Sequence, residues 1–418
     1  MTGSPSDKAK GGHAAGPLSG LRVFDMTRVL AGPTCTQILG DLGAEVIKVE
    51  RPGRGDDSRG MGPPYLKDAQ GNDSQESAYF LSVNRNKRSI TLNLTSKEGQ
   101  ELARRMIGKC DLVVENFRTG TLAQYGLAYD QLKEELPALI YCSVTGFGQT
   151  GPYAERGGYD YLVQGMGGIM SVTGQPDGPP EKVGVGVSDI ITGMYAVIAI
   201  QAALRHREST GEGQHIDMAL LDSQVAWLSY VGENYLVSGE VPQKLGSHHP
   251  NIVPYQVFRA SDGLLVLAVG NDAQFERFCT FAGCPDLAAD ERYTTNGARV
   301  KNRGSLTPIL ADIMAGKPIS HWVEGLVEVN VPCSPINTID QVFADPQVVA
   351  RDMKIAMPHP HISGETVDLI ASPLRLSRSP VSYRQAPPQL GEHTAQVLEE
   401  LLGMSEQEIT ALHEKGVI

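Results

Sequence analysis

No two cysteines of this chain form a CxxC pair; the six (35, 110, 142, 279, 284 and 333) are scattered. That pattern excludes a zinc ribbon and a disulfide scaffold, and predicts reduced thiols in a cytoplasmic compartment. Basic charge is also short. Against 48 Asp and Glu stand 36 Lys and Arg, a formal net charge of −12. Such a balance argues against non-specific binding to nucleic acid or anionic membrane, so local basic residues and helix ends must catch any anionic ligand. Long apolar runs are missing, and none is expected to reach the length of a bilayer span. The opening MTGSPSDKAKGGHAAGP has neither an apolar signal core nor an Arg-rich amphipathic pattern. Residues 1–17 therefore read as a disordered leader. His248 and His249 are adjacent, a poor metal pair with no third ligand in spacing, so no metal site is expected.

What is present is an ordinary globular composition, 41% hydrophobic and 20% charged over 418 residues. That length suits about two domains of about 100–200 residues each. From Leu21 onward, strand-like runs (LRVFDM, EVIKVE, SITLNL, DLVVENF, ALIYCSV) alternate with helical ones. Alternation of this kind predicts βαβ units and an α/β fold with a Rossmann-like, mostly parallel sheet. Beyond the long amphipathic run that contains Gln224, the texture changes to a hairpin around a Ser-Asp-Gly turn, then to charged helices. We therefore expect a large domain over 18–224, a smaller α+β domain over 225–335, and a return segment over 336–418. Ligands of such sheets sit beyond the carboxyl ends of the strands, where Arg51, Asn116, Phe117 and Thr145 fall.

Several stretches could carry chemistry. TGFGQTG has GxGxxG spacing at Gly146, Gly148 and Gly151, but Pro152 and a loop follow where a dinucleotide fingerprint would open a helix. A flexible loop near the site is the expectation, with nucleotide binding as the alternative. Two basic clusters, Arg51, Arg54 and Arg59, then Arg85, Lys87 and Arg88, stand beside strand ends and suit a phosphorylated ligand. Cys35 at a helix start reads as buried and inert rather than reactive. In VGVGVSDIITGM one acid, Asp189, sits among apolar residues and glycines. With Ser188 as N-cap, it falls in the first turn of an apolar helix, whose N–H groups and dipole favour the anion. It reads either as helix-start stabilisation or as a carboxylate nucleophile approached by a bulky acyl group. Asp160 in GGYDYLVQ is a second acid in a glycine-bordered context. Chemistry alone leaves both open.

The motifs RVLAGPTCTQILGDLGAEVIKVERPGRGD, NRNKRSITLNL, VENF, TGFGQTGP, VGVGVSDIITGMYA and LGEHT together resemble the class III CoA-transferases, the formyl-CoA and carnitine CoA-transferase family. The resemblance runs from about Leu18 to about Leu401, and it is strongest toward the succinyl-CoA:glutarate branch through YCSVTGFGQTGP and IVPYQVF. It implies that Asp189 is the nucleophile, forming an acyl anhydride and then a β-aspartyl-CoA thioester, with Asp160 as a secondary active-site acid. Coenzyme A would be a substrate, not a permanently bound cofactor. Val29, Leu30, Ala31, Arg51, Leu92, Asn116 and Phe117 carry over as CoA contacts. Relatives place basic residues where this chain has Gln124 and Gly157, and Arg118 and Arg156 stand nearby as substitutes. Gly246, His248 and His249 occupy the substrate-facing loop. A second, unreacting carboxylate needs cations or donors, for which Arg85, Arg118 and the His248–His249 loop are candidates. The resemblance further implies two domains per chain and an interlocked homodimer. The same fold hosts 2-methylacyl-CoA racemases, which use a histidine upstream of the acid. This chain has no histidine between His13 and His206, so racemase chemistry is the alternative rather than the first reading.

Overall fold

A computed structural model describes residues 16–359, 362 and 364–418. The leader expectation lies outside the described residues up to position 15. Its last two positions depart from it, because Gly16 packs so closely that a Cβ there would lie 2.4 Å from the Leu42 carbonyl oxygen.

The chain divides into two compact units. The first runs to Gly167 and adds Gly184–Trp227 and Val349–Ile418. The six strands of its main sheet are β1 (Arg22–Met26), β2 (Glu45–Glu50), β3 (Lys87–Thr91), β4 (Leu112–Glu115), β5 (Ile140–Thr145) and β6 (His215–Ala219). All pair in parallel, in the order β3-β2-β1-β4-β5-β6. Strands buried on both faces read as apolar runs, which is why LRVFDM and DLVVE show little alternation. Helices α1 (Ala31–Asp41), α2 (Lys97–Ile107), α3 (Asp160–Met166), α4 (Val187–Thr210) and α5 (Leu220–Ala226) belong to this unit. One face of the sheet packs Phe24, Met26 and Ile47 against α2; the other packs Val23, Val46 and Val114 against α1 and α4. The return segment supplies Val397, Leu398, Val417 and Ile418 to the first of these cores.

Helix α4 corrects one expectation. It is 24 residues long with a mean hydropathy of 1.6 in its most apolar window, enough by length and composition to cross a bilayer. Its polar residues are few and, Asp189 apart, its charges gather at the C-terminal end, so the run is longer than it reads. Ala196, Ile200 and Ala203 place it in the core. At Gly193 a Cβ would lie 2.6 Å from the Ala31 carbonyl oxygen, so glycine lets α4 lie directly on α1.

The second unit comprises Gly168–Val183 and Leu228–Val348. Segment 168–183 thus leaves the large domain to which the sequence pattern assigns it. A three-stranded antiparallel sheet, order β9-β8-β7, is built from β7 (Tyr255–Arg259), β8 (Leu264–Ala268) and β9 (Cys333–Pro335). Its core centres on Phe258, Leu265, Phe275, Leu310 and Trp322.

Candidate active site

In the first unit the strand order reverses between β1 and β4, so the segments leaving these neighbours diverge and open a crevice at their carboxyl ends. Arg28–Ala31 from the end of β1, Asn116–Thr119 from β4, Thr145 and Gly146 from β5, Arg156–Tyr159 and Asp189 line one cavity of about 240 Å³ there. Asn116 ties the two diverging segments. Its Nδ2 donates to the Arg28 carbonyl at 2.7 Å and its Oδ1 accepts the Arg28 N–H at 2.9 Å. The Arg28 guanidinium lies 5.1 Å from the centre of the Phe117 ring and reaches Asp57 at 3.3 Å. The Phe117 N–H is held by Glu115 at 2.8 Å. Burial pushes the Glu115 carboxyl up to about 7.

Asp189 enters this cavity from the first turn of α4. The helix begins at Val187, two residues earlier than an N-cap at Ser188 would place it, and Gly186 is its N-cap. The Ser188 hydroxyl instead donates to Gln224 Oε1 at 2.7 Å. The cap comes from outside. Asp160, the first residue of α3, accepts the N–H of Ser188 at 2.8 Å and that of Asp189 at 3.3 Å through Oδ1. Its Oδ2 accepts Gln164 Nε2 at 2.6 Å. Two acids therefore share one helix start: Asp160 takes the peptide donors and Asp189 faces the cavity.

That division changes the electrostatics. Burial, and secondarily the Asp160 charge, push the Asp189 carboxyl up to about 7; these outweigh the helix-start donors that were expected to hold it anionic. The sign is unfavourable to folding. A carboxyl near 3.9 in the unfolded chain and near 7 in the folded one binds its proton more tightly when folded. The resulting penalty is absent below about pH 4, grows as pH rises, and is complete above pH 7. Asp189→Asn should therefore raise stability at pH 8 by on the order of 2–4 kcal/mol, with little gain at pH 4. Urea melts at both pH values check this; equal gains would remove the carboxyl's burial as their cause.

A second cavity of about 430 Å³ shares Arg28 and Phe117 with the first, and is also lined by Arg51, Leu92, Thr95 and Tyr125. Val29, Leu30, Ala31, Asn116, Phe117, Arg118, Arg156 and Asp189 thus meet in one cavity, and Arg51 and Leu92 in the adjoining one. Arg118 Nε donates to the Glu155 carbonyl at 2.7 Å, and Arg156 stacks on Tyr153 at 3.9 Å.

The basic clusters need correction. Arg59 pairs with Glu50 and Arg85 with Asp41, each through two guanidinium hydrogen bonds. Lys87 lies 3.3 Å from Asp25, and Arg88 binds Glu45 and Glu400. Buried cations require counter-charges, so these side chains serve the interior, and Arg85 drops out as a substrate ligand. Of the six, Arg51 and Arg54 stay exposed. Cys35 is fully buried with its thiol pushed well up by desolvation, and is inert as expected.

Gly246, His248 and His249 belong to the second unit. Gly246 has φ +61° and donates its N–H to the Gly174 carbonyl. His248 Nδ1 stands 2.8 Å from the Leu245 carbonyl. The His249 ring stacks on Tyr230, and burial holds its pKa below the ordinary histidine value. Its Nδ1 accepts the Asn251 N–H, so the neutral ring keeps Nε2–H as a donor.

Sequence reasoning missed Arg28, although it closely follows the first strand, where ligands of such sheets gather. Burial and the charges of Asp189 and Asp160 push the Tyr79 phenol up to about 12.

Residues 18–394 match the profile of CoA-transferase family III. The chain is 50% identical over 385 residues to a succinate–glutarate CoA-transferase of Agrobacterium fabrum, covering 92% of this chain and 96% of that one. It is 42% identical over 405 residues to the human succinyl-CoA:glutarate CoA-transferase, covering 96% and 90%. A crystal structure of a CAIB/BAIF family protein from Brucella suis superimposes with a TM-score of 0.81 at 49% identity, covering 93% of this chain and all of that one.

Proposed function

Since the chain belongs to CoA-transferase family III, we propose that it moves CoA from succinyl-CoA to a short dicarboxylate such as glutarate, with Asp189 as the covalent nucleophile. The observation that carries this reading is a desolvated carboxylate, Asp189, on the wall of a cavity that three arginines (28, 118 and 156) also line. The ionised Asp189 attacks the thioester carbonyl; the C–S bond breaks, leaving a mixed anhydride and CoA thiolate. The thiolate attacks the aspartyl carbonyl, releasing the donor acid and forming a β-aspartyl-CoA thioester. The acceptor carboxylate repeats the two steps in reverse order, restoring Asp189. Each anhydride conserves acyl energy that water would waste, so the site must exclude water while it exists.

The nucleotide end of CoA is assigned to the second cavity and Arg51. Arg51→Ala should raise the KM for acyl-CoA by about 10–100-fold, since charged hydrogen bonds are worth about 1.5–3 kcal/mol. Acceptor selectivity should stay as it is. Titration with CoA thioesters checks this, and unchanged affinity moves the nucleotide elsewhere.

The second carboxylate of the acid is assigned to the arginines around Asp189, now without Arg85. Supporting the dicarboxylate class are the names of the two relatives above. The test gives the enzyme succinyl-CoA with glutarate, succinate or butyrate as acceptor. Glutarate should exceed butyrate in kcat/KM by about 10-fold, because Arg118 and Arg156 are exposed and Arg28 is half-buried, so butyrate forfeits a charged hydrogen bond without leaving a buried cation unpaired. Equal values would mean that no site for a second carboxylate exists.

The interlocked homodimer belongs to the same proposal. Supporting it, Met194, Tyr195 and Ile198 of α4 leave a large part of their apolar surface exposed in the single chain. The six free thiols support a reducing, cytoplasmic setting.

A further inference from the structure

The turn leading from β1 into α1 carries an unusual backbone. Val29 has φ +70°, a conformation that a β-branched residue rarely adopts because its branched Cβ crowds the backbone. It persists only if neighbours over-determine it. We propose that Asp56, backed by Lys48, is the positioning residue that holds Val29 in this conformation and thereby aims Arg28 and Leu30 at the reacting centre.

The contacts converge on three consecutive residues. Asp56 Oδ1 accepts the Val29 N–H at 3.0 Å, and its Oδ2 accepts Lys48 Nζ at 2.7 Å. Lys48 Nζ also donates to the Thr27 carbonyl at 3.0 Å. Asn116 holds Arg28, between them, from both sides. The carboxylate and the ammonium thus grip the turn before and after Arg28. Both side chains are wholly buried. Asp56 is itself fixed, since its N–H donates to Glu50 Oε2 at 2.9 Å and its Oδ1 accepts Ser58.

A buried ion pair is weak evidence for stability, and apolar residues of similar volume often serve as well. What apolar residues cannot supply is an acceptor for Val29 and a donor for Thr27. The consequence reaches Asp189 through Leu30. A Cβ on Gly186, at the start of α4, would lie 2.8 Å from Leu30 Cδ2, so a shifted Leu30 presses on the helix that carries the nucleophile. Arg28, in turn, lines both cavities.

The inference rests on the assignment of these cavities to the thioester, and the experiment separates the two. Asp56→Ala is made in the natural chain and together with Val29→Gly, since glycine adopts the same φ without strain. With Val29 in place, Asp56→Ala should lower kcat/KM for succinyl-CoA by about 100-fold, the scale of a misplaced reacting group. Relative to the Val29→Gly single variant, the same change should cost less than about fivefold. A purely structural role lowers both backgrounds alike, and equal losses overturn the clamp. Asp56→Asn covers the case in which Asp56→Ala does not fold. It keeps an oxygen for the Val29 N–H, so it should lose thermal stability yet hold kcat/KM within about fivefold of the natural chain. A fall in kcat/KM of about 100-fold in this folded variant also overturns the clamp. Asp189→Ala is run alongside. If it retains activity, the site assignment fails; if it is inactive while Val29→Gly gives no relief, the clamp alone fails.

Discussion

Asp189→Ala should abolish CoA transfer, lowering kcat by about four orders of magnitude or more, as expected when a covalent nucleophile is removed. Binding of the thioester should survive, because the arginines and the Asn116–Phe117 wall of the cavity proposed to receive it are untouched. Succinyl-CoA added with hydroxylamine to the natural enzyme should convert Asp189, and no other acid, to a hydroxamate readable by peptide mass spectrometry. Asp160 should escape, since both its oxygens accept hydrogen bonds from Ser188, Asp189 and Gln164. An unmodified Asp189 in an enzyme that is turning over would end the anhydride mechanism. The raised pKa adds a pH signature. Only the ionised form attacks, so the rate of the first acyl transfer should fall about tenfold per pH unit below pH 7.

A single methyl group at Gly146 should be nearly as damaging. A Cβ there would lie 2.5 Å from Gly158 Cα, and one on Gly158 would lie 2.4 Å from Gly146 Cα. These are backbone atoms with no side chain to swing aside. Gly146→Ala must therefore push the 156–159 loop off β5, and both segments line the cavity. We expect a loss of about 100-fold in kcat/KM from displaced Arg156 and Tyr159. Overpacking should also cost about 1–3 kcal/mol in stability. Gly151→Ala is the control. It lies at φ +89° with open space around it, so it should strain a turn without moving the wall. If the two variants behave alike in turnover, the close crossing of the loop and strand is not what shapes the site.

These glycines show how far the sequence could be read. The GxGxxG spacing was visible, and so was the loop after it; the reason for glycine was not. A contact between residues twelve apart, backbone on backbone, leaves no trace in a local pattern. The parallel sheet was legible because strands buried on both faces are written as unbroken apolar runs. The strand order, and hence the crevice, was not, because order depends on which edges meet. Charge was the hardest to read. NRNKRS looks like a phosphate grip, yet Arg85 and Lys87 answer Asp41 and Asp25 in distant parts of the chain. Asp189 stood out as an acid in an apolar frame, but its capping partner came from another helix. Burial first, and the Asp160 charge second, set its pKa above the ordinary carboxylate value, against the expected direction.

The first core is closed by residues from both ends of the described chain, Phe24 at one and Ile418 at the other. During synthesis β1 to β6 emerge long before Val397, Leu398 and Val417 do. At about 5–20 residues per second, the stretch between Trp227 and Thr394 takes about ten to thirty seconds to make. Throughout that interval the α2 side of the nascent sheet lacks the part of its cover that Val397, Leu398, Val417 and Ile418 supply, and the second unit is translated while the first is unfinished. The ribosome therefore delivers this fold as an open book whose last page binds it. Chaperone dependence should concentrate in the window before the final helices leave the exit tunnel.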